Sequence, residues 1–248
     1  MRLQNHFAAQ AGKYREFRPT YPSELFDFLA SLSPARQRAW DCGTGNGQAA
    51  LGLAERFALV VASDATRQQI TRATSHRRVR YWVALAEKSG LKGSSVDLVT
   101  VAQAVHWFDL EGFYAQVRHA ARPGGILALW CYGLPEIDPE IDRSIRTFYT
   151  DVVGPYWPKE RHHVEARYRD LPFPFAEIDP PHCAMEAEWD LSRLLGYVGT
   201  WSPVKIFRRE TRRDPLPALA DALAEVWGPA RRTRTLRFPL HLRVGRVS

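Results

Sequence analysis

Trp40-Asp41-Cys42-Gly43-Thr44-Gly45-Asn46-Gly47 is the stretch on which the reading of the chain turns. A short apolar run ends in an acid, and three glycines then alternate with small polar residues. Gln48 to Arg56 follows as a helix, with Leu51, Leu53 and Ala54 available to its buried side. A strand, a glycine turn and a helix N-terminus in succession leave backbone N–H groups pointing outward, with no side chain blocking a ligand.

Upstream, Asn5 to Glu16 reads as a short helix bearing Phe7, Ala11 and Tyr14. Phe17-Arg18-Pro19-Thr20-Tyr21-Pro22 is held extended by its prolines until Pro22 opens a helix. That helix carries Leu25, Phe26, Phe28, Leu29 and Leu32. Downstream, Ala58 to Asp64 reads as a second strand and Thr66 to His76 as a polar helix. Val79 to Val83 and Val96 to Ala102 are the third and fourth strands. Asp109 stands where it can cap a helix from Leu110 to Ala121, and Gly124-Gly125 turns into a fifth strand, Ile126 to Trp130. Strands and helices alternating at this interval predict an α/β fold, a parallel sheet with helices on both faces.

After Trp130 the rhythm changes. Ile137, Ile141, Ile145, Phe148, Tyr149 and Val152 recur at helical spacing, and a stretch rich in proline and aromatic residues follows. Ala184 to Trp189 reads as a sixth strand, Leu191 to Val198 as a short helix, Leu216 to Trp227 as an amphipathic helix and Thr233 to Val247 as a closing strand. The organisation is a single domain over 1–248, with 1–34 as an N-terminal cap segment and 133–201 as an insertion that covers the site.

Hydrophobic residues at 45% and charged residues at 25% place the chain among globular proteins and not among disordered ones. Its apolar runs fall short of the roughly 18 residues that a membrane span needs. Met1 to Lys13 lacks the apolar core of a signal peptide. Cys42, Cys131 and Cys183 have neither metal-ligand nor disulfide-framework spacing, which favours a reducing, cytoplasmic setting. The net charge of +7 is localised: Val204 to Ser248 holds 11 Lys and Arg against 4 Asp and Glu, while the rest of the chain balances at 23 against 23. Such a basic third can meet nucleic acid or an acidic small molecule. No aromatic residue is interleaved with Arg208, Arg209, Arg212 and Arg213 as a base-stacking platform requires, which favours a solvated face.

In open α/β sheets the ligand lies beyond the C-terminal ends of the strands. Asp41 with its glycines, Asp64, Ala86-Glu87 and Gln103 through Trp107 all fall there. Asp64 follows Asp41 by 23 residues, close to the ~20-residue interval at which an acid reaches a nucleoside ribose. It can equally cap the next helix. A dinucleotide calls for Gly-x-Gly-x-x-Gly, whereas here the glycines stand at 43, 45 and 47. The anion of Asp41, two residues before the first of them, repels a pyrophosphate and attracts the ammonium of a methionyl group. The pattern favours S-adenosylmethionine over a nicotinamide dinucleotide.

On these residues the chain resembles the class I S-adenosylmethionine-dependent methyltransferases. Asp41 to Gly47 is similar to their cofactor motif, Ser63-Asp64 to their ribose acid, Ala86-Glu87 to the segment beside the adenine, and Arg122-Pro123-Gly124-Gly125 to the turn before their fifth strand. Phe17 to Pro22, Ala102 to Asp109 and Gly199-Thr200-Trp201-Ser202 further resemble the group containing the trans-aconitate-type carboxyl methyltransferases. The resemblance implies a Rossmann-like, mostly parallel seven-stranded sheet with a lid after the fifth strand. Leu85 stands where many relatives carry an acid facing the adenine amino group, which leaves that part to Glu87.

Methyl transfer is an in-line displacement at a sulfonium methyl group, to which the protein contributes alignment and exclusion of water. A carboxylate acceptor needs a cationic or hydrogen-bonding clamp; a hydroxyl or amine usually needs a base. His106, at the catalytic edge, is the candidate catalytic residue, as base or as donor. Gln103, Tyr14 and Arg18 join the cofactor candidates, Arg18 as partner of the methionyl carboxylate. Tyr21, Trp107, Trp201 and Arg243 are acceptor candidates, with Arg246 beside them. His162-His163 lacks the His-Glu pattern of a zinc hydrolase and reads as a solvated loop, so no metal is implied, and no Gly-x-Ser-x-Gly elbow is present. A small, acidic acceptor is the leading reading. RNA or protein as acceptor, through the basic third, a nicotinamide-dependent oxidoreductase, and a cofactor-binding protein without catalysis are the alternatives.

Overall fold

The structure, a computed structural model, describes residues 18–247. In chain order the elements are α1 (Ser23–Leu32), β1 (Arg38–Cys42), α2 (Gln48–Ala54), β2 (Leu59–Asp64), α3 (Arg67–Ile70), β3 (Val79–Val83), β4 (Val96–Ala102), α4 (Leu110–Ala120) and β5 (Ala121–Tyr132). There follow α5 (Pro139–Thr147), α6 (Arg161–Glu165), β6 (Ala176–Ile178), β7 (Cys183–Trp189), α7 (Leu191–Gly199), α8 (Ser202–Thr211), α9 (Leu216–Trp227) and β8 (Arg234–Arg246).

The sheet runs β3-β2-β1-β4-β5-β8, the first five strands parallel and β8 antiparallel to β5. The 13-residue β8 serves two sets of neighbours. Its second half pairs with β5 on one side and with β6 on the other, and its first half pairs with β7. Leu240 faces both Tyr132 of β5 and Cys183 of β7, so β6 and β7 lie end to end on the outer edge. The resemblance implied seven strands. The sheet has seven positions, and the outermost is divided between two strands.

Strands buried on both faces send alternate side chains into different cores. On β5, Ile126, Ala128, Trp130 and Tyr132 join one core, shared with Leu25 and Leu29 of α1, Leu53 of α2, Ile141 of α5 and Leu223 of α9. Leu127, Leu129 and Cys131 join the other, with Phe113 and Val117 of α4 and with Val164, Tyr168 and Leu171. The helices therefore lie on both faces, as the alternation predicted. Among the described residues no helix is long and apolar enough to cross a membrane.

Several expectations are corrected. The polar helix of 66–76 is reduced to α3, because the Thr74 N–H is diverted to Asn46 O at 3.3 Å and ties this segment to the glycine turn. Asp109 occupies the N-cap of α4 but its carboxylate makes no cap bond; its backbone N–H instead donates to Glu87 Oε1 at 2.9 Å. Within the expected insertion of 133–201, residues 176–178 and 183–189 are strands of the sheet. The cavity wall also continues past Trp201 onto α8. His162 and His163 lie on α6, not in a loop, and His163 Nδ1 is 2.7 Å from Asp170 Oδ2. β6 and α8 were unforeseen. The expected helix at 5–16, and Tyr14 with it, lies outside the described residues.

Candidate active site

A cavity of about 520 Å³ opens beyond the C-terminal ends of β1, β2, β4 and β5, within the ~300–1,000 Å³ usual for small-molecule sites. One side of it is made largely of backbone. Gly43 and Gly45 line it at φ +68 and +57. A Cβ on Gly43 would stand 2.6 Å from Ala104 Cβ, so the close approach of the β1 turn to the β4 turn requires glycine there. Gly45 faces open space. Gly47 is not on the wall: it caps α2 beneath the Tyr81 ring, and its role is packing.

Asp64 lines the cavity at the end of β2, where Oδ2 accepts from Gly45 N–H at 2.9 Å and Oδ1 from Thr66 N–H at 2.8 Å. Burial pushes its pKa up, against the pull of those bonds. Each oxygen keeps a lone pair for a ribose hydroxyl. Ala84 through Glu87 continue the wall, and Glu87 spends one oxygen on the N-terminus of α4.

Asp41 is placed differently from the sequence reading. It is fully buried below the glycine turn and is not among the wall residues. Thr44 Oγ1 donates to its Oδ2 at 2.5 Å and Thr100 Oγ1 to its Oδ1 at 2.9 Å. Burial raises its pKa to about 6, opposed by the two hydroxyls and the Ala50 N–H. Its charge acts on the site through the turn, without contact.

Another part of the wall is made of side chains. Arg18 donates from Nη1 to the Tyr132 hydroxyl at 2.8 Å and lies over the Tyr197 ring at 4.9 Å. Arg161 donates from Nε to the Tyr149 hydroxyl at 2.8 Å and stacks on Trp157 at 4.6 Å. Lys205 is half-buried on α8, and its pKa is lowered by desolvation first and by the Arg18 charge second. Trp201 is buried against Trp157, Tyr149 and Tyr197. Gln103 holds a left-handed φ of +58 while its Nε2 donates to Tyr132 O at 2.9 Å, a local strain of the kind found where a site is fixed by its surroundings. His106 lines the cavity with Nδ1 2.9 Å from the Tyr168 hydroxyl and its ring against Trp107.

Of the sequence candidates, Arg18, Tyr21, Gly43, Gly45, Asp64, Ala86, Glu87, Gln103, His106, Trp107 and Trp201 converge on one cavity. Arg243 does not. On β8 its guanidinium pairs with Glu177 at 2.6 Å and donates to the carbonyls of Tyr168 and Leu171 at 3.0 and 2.6 Å. Arg246 donates to Gly124 O. Sequence reasoning missed Arg161, Lys205, Trp157, Tyr132 and Tyr197; the aromatic-rich stretch was a signal for Trp157 and Arg161 alone. Much of the basic third is used internally, with Arg208, Arg209 and Arg237 paired to Asp214, Glu210 and Glu136.

The residues present fit a methylated nucleoside sulfonium: an acid for a ribose, open backbone at Gly45, and a buried anion below the turn. Residues 40–129 match the family described as a methyltransferase domain. A methyltransferase-family protein of Dictyostelium discoideum is 31% identical over 91% of this chain and 88% of its own. An uncharacterized methyltransferase of Mycobacterium tuberculosis is 35% identical over 64% of this chain and 69% of its own. A solved type II methyltransferase-family structure from Anaeromyxobacter dehalogenans is 47% identical, with a TM-score of 0.88 over 93% of this chain and 98% of that one. The chain belongs to the class I S-adenosylmethionine-dependent methyltransferases, and the oxidoreductase reading is set aside.

Proposed function

We propose that this methyltransferase transfers the methyl group of S-adenosylmethionine to a carboxylate of a small acidic molecule, in the manner of the trans-aconitate-type enzymes. The observation that carries the reading is the charge of the two sides. Asp64 and Glu87 are the acids among the described wall residues, while the cations are Arg18, Arg161 and Lys205; this reading gives all three to the acceptor, Arg18 being moved there from the methionyl carboxylate. Lys205 and Arg18 are close enough to disfavour each other's charge, a repulsion that an anion between them relieves. Trp157, on the same wall, has its indole N–H buried without a partner among the described residues, a donor ready for an oxygen.

In this reading the backbone turn and Asp64 hold the nucleoside, Arg18, Arg161 and Lys205 draw in the acid, and His106 stands at the join. The experiment is methyl transfer from labelled S-adenosylmethionine to a panel of mono- and dicarboxylates, beside phenols, protein and RNA. Base-labile methyl esters are the expected product. Label on RNA or protein, with no carboxylate methylated, would overturn the reading.

A further inference from the structure

Tyr168 is fully buried, three residues beyond α6, and its hydroxyl has one hydrogen-bond partner among the described residues, His106 Nδ1. A phenol has one proton to give, and a buried O–H without an acceptor is strongly disfavoured. Were Nδ1 protonated, it would donate to the phenol oxygen and leave the phenol proton without an acceptor among the described residues. With Nδ1 bare, the phenol donates to it and both groups are satisfied. Burial pushes the phenol pKa well above its ordinary value, so the hydroxyl keeps its proton. Burial, with the charges of Arg161 and His163, pushes the imidazole pKa down to about 3, so the ring is neutral.

We infer that Tyr168 is a positioning residue that fixes His106 as its Nε2–H tautomer, so that His106 offers an acceptor a hydrogen-bond donor and not a base. The ring's lone pair sits at Nδ1 and is taken by Tyr168. The inference rests on the carboxylate reading for its chemical consequence. The acceptor arrives already ionised, its oxygen bonds to the methyl carbon as the carbon–sulfur bond breaks, the electron pair stays on sulfur, and no proton moves. The fold holds Tyr168 firmly. It and Arg167 are consecutive left-handed residues, at φ +60 and +59. Arg243 grips the Tyr168 carbonyl, and the Tyr168 N–H donates to His163 O at 2.7 Å.

The test is nitrogen NMR of the full chain labelled at histidine, which needs neither turnover nor a known acceptor. His106 is expected as Nε2–H between about pH 6 and 8, the range in which an ordinary histidine titrates. An Nδ1–H or imidazolium signature would overturn the inference. Tyr168→Phe is expected to mix the tautomers, and an unchanged spectrum would also count against it. With an acceptor in hand, Tyr168→Phe should raise its KM about tenfold with kcat nearly unchanged, the scale of one lost hydrogen bond. His106→Gln, which keeps a donor and has no basic nitrogen, should stay within about tenfold of the native rate. An inactive His106→Gln would sink the donor role. Failure of the carboxylate panel alone leaves the NMR result standing, so the two claims fail separately.

Discussion

On the proposed reading, the cofactor side and the acceptor side of the cavity are built from different parts of the polypeptide. The first is a run of turns between residues 41 and 87, and its working atoms are backbone N–H groups and buried or half-buried acids. The second is a set of cationic and aromatic side chains brought in from Arg18, Arg161, Tyr197, Trp201 and Lys205. A surface made of backbone cannot be rewritten by point substitution without moving the turn. A surface made of side chains can. The contrast gives a physical reason why one fold keeps its methyl donor while its acceptors vary.

The comparison can be broken most visibly at Asp41. Burial raises its carboxyl pKa to about 6 in the folded chain against an ordinary 3.8, so the folded state holds the extra proton between those values. The wild type should therefore lose about 3 kcal/mol of stability relative to Asp41→Asn as pH rises from about 4 to above 6. Urea titrations across that range measure it, and parallel curves would show the acid to be unperturbed. Asp64→Ala removes the ribose acceptor and leaves two backbone donors unpaired. Affinity for S-adenosylmethionine should fall by roughly 30-fold, about 2 kcal/mol, in calorimetry. Arg161→Ala should raise the KM of an acidic acceptor about tenfold and leave the affinity for S-adenosylmethionine alone. A fall in both would mean that the two sides are not separable. Smallest is Arg209→Ala, which breaks an exposed pair with Glu210 and should change stability by no more than about 0.5 kcal/mol in denaturant titration.

The same contrast explains what could be read in the sequence. The parallel half of the sheet, the glycine turn and Asp64 were legible because each is local: an apolar run, a φ requirement, a fixed interval. β4 runs from Val96 to Ala102 and α9 from Leu216 to Trp227, as periodicity placed them. Asp41 was legible as an acid but not as a buried one, because burial depends on the threonines at 44 and 100, the second of them in another strand. Arg161 and Lys205 were invisible because a cationic residue has the same letter whether it faces water or a cavity. Arg243 was misread for that reason: its partners Glu177, Tyr168 and Leu171 precede it by more than 60 residues. α8 went unread, although Pro203 stands in its first turn, where proline is favoured.

The long strand β8 has a consequence for the order in which the molecule is assembled. β1 through β5 find their parallel partners among residues 38–132, whereas β6 and β7 pair only with β8 among the described strands. Chains are delivered N-terminus first. The nucleoside platform can thus mature while the rest is still being made, and the outer edge of β5 stays open until residues 234–246 arrive. In refolding followed by hydrogen exchange, amides joining β4 to β1 should gain protection before those joining β7 to β8. The parallel half of the sheet is laid early, and its outer edge is covered by the last strand to arrive.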